Sequence, residues 1–245
     1  MVDKLRFGVI IVVIMPRKKR KILGGYVYHV LNRANGKLRI FKKPDDFAAF
    51  EELLAQGQER FGMRVCGYCL MSNHWHLLLW PEGDGDLAEF MKWITVTHTM
   101  RYHAAHGTTG MGHIYQGRYK SFPVQGNASY LKVLRYIEAN PLRAKLVDKA
   151  EEWPWSSYRH HIGVTKPDTP LRICKGPRPI PRNWPEYVLN KQTKLETDTI
   201  QNAIKRGCPL GDTDWIETTA RKLELESTLK PIGRPKTTMK GDGPL

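Results

Sequence analysis

The stretch from Met71 to Trp80, MSNHWHLLLW, constrains this chain most, because it sets two histidines two positions apart inside an apolar, strand-forming run. Successive strand side chains point to opposite faces, so His74 and His76 share one face while Trp75, Leu77 and Leu79 share the other. One face can pack and the other can hold a cation, since neutral imidazole is a common metal ligand. Taken alone, such a pair is also ordinary in a strand.

A second stretch, Val133 to Ala144 (VLRYIEANPLRA), is amphipathic and is punctuated by Asn140-Pro141. The residue before proline is pushed out of the α region, so a helix is expected from about Ala128 to Ala139. On that helix Tyr136 and Asn140 are neighbours one turn apart. A phenol and an amide oxygen so placed could reach an ion held by His74 and His76. Tyr115, Tyr119 and Tyr130 lie nearby, but none has an amide residue at the fourth position after it.

Together these stretches resemble the HUH-type single-tyrosine transposases, in particular the REP-associated tyrosine transposases: a histidine, hydrophobic residue, histidine strand, then a tyrosine helix with glutamine or asparagine four residues on. The resemblance covers roughly Gly25 to Tyr158. It implies a metal-dependent endonuclease and strand transferase acting on single-stranded DNA beside repeat hairpins. Tyr136 would be the nucleophile, leaving a 5′-phosphotyrosine and a free 3′-hydroxyl. His74, His76 and Asn140 would hold the ion. A mixed nitrogen and oxygen set does not by itself choose among magnesium, manganese and zinc; the resemblance implies Mg²⁺ or Mn²⁺. It also implies a bacterial, cytoplasmic, nucleoid-associated protein, and leaves open a monomer or a homodimer, with the tyrosine serving its own subunit or a partner. The residues leave two other readings: a non-catalytic, RNA-recognition-like binding protein with structural histidines, and a metal-dependent hydrolase using water.

The surrounding pattern suits such a fold. Gly25 to Asn32 reads as a strand, Asn35-Gly36 as a turn and Leu38 to Phe41 as a short extended piece. A helix follows from Pro44, with Phe47, Phe50 and Leu54 at helical spacing and Gly62 as its stop. Arg64 to Leu70 is expected to form a hairpin with the histidine strand through Ser72-Asn73. Asp86 and Glu89 look like an N-cap and its capping-box partner, opening a helix through Leu87, Phe90, Met91 and Ile94 to about Ala105. In the segment Gly110 to Val124, Arg118, Lys120 and Phe122 would share one strand face, a surface for a nucleic-acid backbone and a stacked base. The order β, α, β, β, α, β, α is similar to a ferredoxin-like, RRM-like antiparallel sheet: an α+β fold with helices on one face and the tyrosine helix over the other.

Composition narrows the partners. Lysine and arginine outnumber aspartate and glutamate by 39 to 24, giving a net charge of +15 over 245 residues. That excess fits a polyanion such as nucleic acid. The apolar run Phe7 to Ile14 is too short to span a bilayer, so no membrane role is expected. No GxxxxGK[ST] loop is present, which fits chemistry that needs no nucleotide. Cys66 and Cys69 form a CxxC without a second pair, and reduced cytoplasmic thiols suit the four scattered cysteines better than a zinc site.

The chain divides into a basic N-terminal arm (1–21, with Met15 as the expected start), a transposase-like domain (22–165), a proline-rich linker (166–194), a small helical appendage (195–230) and a basic tail (231–245). In the tail, Gly233-Arg234-Pro235-Lys236 resembles the core of an AT-hook, whose arginine, here Arg234, would enter an A·T minor groove.

Overall fold

A computed structural model describes residues 20–164 and 169–231. Most of the basic arm and nearly all of the tail, including Arg234, lie outside the described residues.

Strand β1 spans Val27–Arg33, helix α1 Pro44–Phe61, β2 Arg64–Met71, β3 His74–Trp80, α2 Asp86–His106, β4 Lys120–Val124 and α3 Ala128–Glu138. This is the expected alternation. The four strands form one sheet in the order β2-β3-β1-β4, and every neighbouring pair is antiparallel.

Local chemistry fixes the ends of α1. Pro44 occupies its first turn, where a missing N–H costs nothing. The Asp46 carboxylate accepts from the backbone N–H groups of Lys42 (2.7 Å) and Lys43 (3.2 Å). Gly62 closes the helix at φ 62°, a left-handed conformation that favours glycine.

Two cores sit on opposite faces of the sheet. On one, Trp75, Leu77 and Leu79 of β3 and Tyr28 and Val30 of β1 pack beneath Phe50 and Leu54 of α1 and Phe90, Met91 and Ile94 of α2. On the other, Leu78, Val27, Phe122 and Val124 pack beneath Val133, Leu134 and Ile137 of α3. Burying both faces is what holds a small sheet rigid enough to carry a site.

Leu38 to Phe41 stays outside the sheet, with Ile40 and Phe41 buried as anchors and the Phe41 N–H donating to the Ser72 carbonyl at 3.1 Å. Two local expectations are corrected. The N-cap of α2 is Gly85 at φ 85°, not Asp86. Asp86 lies in the first turn, where its carboxylate accepts from the Gly83 N–H at 2.7 Å and suits the positive end of the helix. Asn140-Pro141 does not end helical structure: a further turn, α4 (Asn140–Arg143), follows at once, because proline is tolerated in a first turn.

Of the remaining described chain, Leu171 packs in the first core and most of the other buried residues join the second. This part of the chain contains α5 (Tyr158–His161), α6 (Trp184–Leu189), α7 (Lys194–Arg206) and α8 (Thr213–Leu223). Trp184 and Val188 of α6 and Ile200 and Ala203 of α7 are buried with α3, so residues read as linker and appendage share the core of the sheet. Leu210, between α7 and α8, takes the outer edge of β4: its N–H donates to the Pro123 carbonyl at 3.0 Å and its carbonyl accepts from the Gln125 N–H at 2.9 Å. An edge strand is thereby covered. No described helix is long and apolar enough to cross a membrane.

Candidate active site

Register alone brings the first residues together. In the antiparallel pairs His74 lies opposite Arg33 and Met71, and His76 opposite Leu31 and Cys69, with Lys120 flanking Leu31 from β4. The histidine face is therefore one continuous patch at one end of the sheet. Helix α3 crosses it and delivers Tyr136, whose ring centre lies 6.0 Å from that of His76. A pocket of about 640 Å³ opens there, lined by His74, His76, Tyr136, Asn140, Arg143, Arg118 and Lys120 among others.

The histidines are held neutral. Burial, with Arg33 and Arg143 nearby, lowers the His74 pKa to about 4. Burial and the neighbouring histidines hold His76 well below the ordinary histidine value. Each ring is also oriented from behind. His74 Nδ1 lies 2.6 Å from the Asn73 side-chain oxygen, which only an N–H can approach favourably, so its Nε2 keeps a lone pair. His76 Nδ1 lies 2.9 Å from Nε2 of His29, itself fully buried with its pKa pushed down to about 3 by desolvation. When His76 donates in that contact, its own Nε2 is likewise open. Such outer-shell partners are what a metal-binding imidazole needs.

These residues fit a divalent cation through two imidazole nitrogens. Asn140 stands differently: its Oδ1 accepts from Arg143 at 2.7 Å, and its Nδ2 donates to the carbonyls of Tyr136 (3.2 Å) and Ile137 (3.1 Å). Arg143 also donates to the Tyr136 carbonyl at 2.8 Å, and its guanidinium sits 3.9 Å from the centre of the Tyr136 ring. Among the described residues no group of three or more His, Cys, Asp or Glu side chains could hold a metal ion, so an ion here would need oxygen donors beyond the imidazole pair.

The rival tyrosines point elsewhere. Tyr115 lies in the opposite core, its hydroxyl 3.0 Å from the Trp75 indole nitrogen and 2.6 Å from His98 Nδ1. Tyr130 is fully buried, and Tyr119 lies under the Arg20 guanidinium. Arg118 and Lys120 are exposed at the pocket. Phe122 is not available to stack a base: only 1% exposed, it packs edge-on against His29 at 5.0 Å. Its place in β4 turns it inward, and α3 covers it. The CxxC cysteines diverge, Cys66 to Cys174 (Sγ to Sγ 3.2 Å) and Cys69 to Met71, and all four thiols are free.

Sequence reasoning missed His29, Asn73 and Arg143. Arg143 could have been found from its spacing, since seven residues after Tyr136 is the same helical face. His29 stands out as the one imidazole of β1, but its partner depends on strand pairing.

Residues 23–140 match the family model described as IS200-like transposases. By class the protein is a transposase, an enzyme of DNA transposition. The matched segment, running from just before β1 to Asn140, is similar to the IS200-like transposases. The structure of a REP-associated tyrosine transposase bound to a REP hairpin is similar at a TM-score of 0.52 and 17% identity, covering 66% of this chain and 100% of that one; at this identity the likeness shows the fold. A protein from Deinococcus radiodurans R1 described as a transposase aligns at 17% identity over 50% of this chain and 96% of that one, with a TM-score of 0.37, too low to define a shared fold. No curated protein matches the chain significantly.

Proposed function

We propose that this transposase nicks and rejoins single-stranded DNA beside a repeat hairpin through a 5′-phosphotyrosine at Tyr136. The observation that carries the reading is the approach of the Tyr136 ring to within 6.0 Å of His76 in a pocket rimmed by Arg118 and Lys120. His74 and His76 would hold Mg²⁺ or Mn²⁺, with Asn140 joining them once Arg143 releases its side-chain oxygen. A divalent ion bound there supplies charge that polarises the scissile phosphate.

The chain's own groups do the rest. The guanidinium of Arg143 against the Tyr136 ring holds the phenol in place for attack. Arg118 and Lys120 hold the flanking phosphates. As the Tyr136 oxygen bonds to phosphorus, its proton leaves and the bond from phosphorus to the 3′-oxygen breaks, that oxygen taking up a proton. Reversal, by attack of a 3′-hydroxyl, rejoins strands without a nucleotide. The tyrosine and histidines of one chain already meet, which supports action within a single subunit. DNA of this kind would place the protein at the bacterial nucleoid, in the cytoplasm.

Wild type and Tyr136→Phe, incubated with labelled hairpin-bearing single-stranded DNA and Mn²⁺, separate the readings. We expect an adduct that survives denaturation in the wild type alone. Cleavage persisting in the variant would indicate water as nucleophile, and binding without cleavage in both would indicate a binding protein.

A further inference from the structure

Helices α7 and α8 lie beyond residue 140, where the family match ends, yet α7 forms part of the pocket that holds Tyr136. Gln201 and Ile204 of α7 line the pocket that holds His76 and Tyr136. On the other side of Ile204 a second cleft, of about 480 Å³, runs between β4 and the pair α7 and α8. Arg118, Lys120 and Ile204 line both cavities, so the two adjoin along β4 and α7.

The cleft is strongly cationic. Arg20, Lys21, Arg118, Lys120, Lys205 and Arg206 line it, and among the described residues no carboxylate does. Lys21 reaches Glu224 at 3.8 Å, and the Arg206 guanidinium is used structurally, donating to the carbonyls of Thr228, Ser227 and Lys230. Arg118, Lys120 and Lys205 are exposed and pair with no carboxylate among the described residues. Gathering like charges costs self-repulsion that a polyanion relieves. The lining offers hydroxyls from Ser121, Ser227 and Thr228 but no exposed aromatic ring, since Tyr28 is 2% exposed. Such a surface suits phosphates rather than bases. Because Leu210 is hydrogen-bonded into the edge of β4, the helices bearing this wall are fixed relative to the sheet.

We propose that this cleft is a second DNA-binding site, in which α7 and β4 hold the phosphate backbone of the single strand that continues from the scissile position. The proposal rests on the DNA-handling role given above and assigns part of that role to the C-terminal extension.

The test is fluorescence anisotropy of the full-length protein with labelled oligothymidylate and with a blunt DNA duplex, from 50 to 200 mM salt, without metal. Lys205→Glu is compared with Lys205→Gln, which removes the charge without reversing it, in case the reversal disturbs the helix end. We expect about fivefold to tenfold weaker binding of the single strand at low salt, and a salt slope reduced by about 0.7, the amount for one lost single-strand phosphate contact. Unchanged affinity and slope in both variants would overturn the proposal. An equal loss on the duplex would overturn the assignment to a single strand. Because no metal is present, neither outcome depends on whether Tyr136 forms an adduct, so the proposed chemistry can fail separately.

Discussion

The guanidinium of Arg143 lies 3.9 Å from the centre of the Tyr136 ring while donating to Asn140 Oδ1 at 2.7 Å. One cation thus fixes both the candidate nucleophile and the amide one turn away. Burial lowers the Arg143 pKa, and the neighbouring Tyr136 opposes that shift. Lysine has one ammonium where arginine has a planar fork, so it cannot donate to the Tyr136 carbonyl while covering the ring. We expect Arg143→Lys to slow single-turnover adduct formation by about tenfold to a hundredfold, as displaced catalytic groups do. Its DNA affinity should change far less. Equal loss of rate and affinity would show that Arg143 acts as a phosphate contact instead.

Asn73 precedes the histidine strand in its turn and orients His74 through the 2.6 Å contact to Nδ1. Asn73→Ala removes that constraint without touching the ion-facing nitrogen. Loss of such an outer-shell partner weakens metal binding by about tenfold or more. Isothermal titration with Mn²⁺ should show this, with the wild-type fold retained by circular dichroism. Affinity equal to wild type would mean that Asn73 only shapes the turn.

Glu138, two residues after Tyr136 and fully buried, clamps α3 to the later chain. Its carboxylate accepts from Ser157 Oγ (2.5 Å) and from the Trp184 indole N–H (2.8 Å), and lies 2.6 Å from His161 Nδ1. Glu138→Gln replaces an acceptor with a donor facing donors, a cost of about 2–3 kcal/mol. A fall in Tm of about 5–10 °C should follow. A change in Trp184 emission would report loosening of α6. An unchanged Tm would show that the cluster is not a clamp.

His98, in the opposite core, donates to or accepts from Tyr115 and has its pKa lowered to about 3, chiefly by burial, against an opposing pull from Asp46. Its ordinary value is 6.5. The folded state therefore resists a proton that the unfolded chain accepts, so the stability contribution is complete above pH 6.5 and is lost as pH falls toward 3. Between pH 7 and pH 5 this one group should remove about 2 kcal/mol. Urea unfolding of His98→Phe should show a correspondingly smaller drop over that range. An equal drop in both proteins would assign the acid sensitivity to other groups.

Much of the architecture could be read directly from local chemistry. The alternation through His74–Trp80, the helix from Pro44 to Gly62 and the spacing of Tyr136 and Asn140 are short-range patterns, and each lies in the structure where that pattern puts it. The sequence by itself thus determined the order of elements, the two faces of β3 and the helix that carries the phenol. Tertiary structure alone decided what those residues meet. His29 reaches His76 across a strand pairing, Arg143 turns back over Tyr136 through an added helical turn, Phe122 is sealed beneath α3, and α7 closes the groove beside Lys120. The physical reason is range: periodicity reports which way a side chain points relative to its own backbone, whereas burial and partnership depend on segments that only long-range packing brings together.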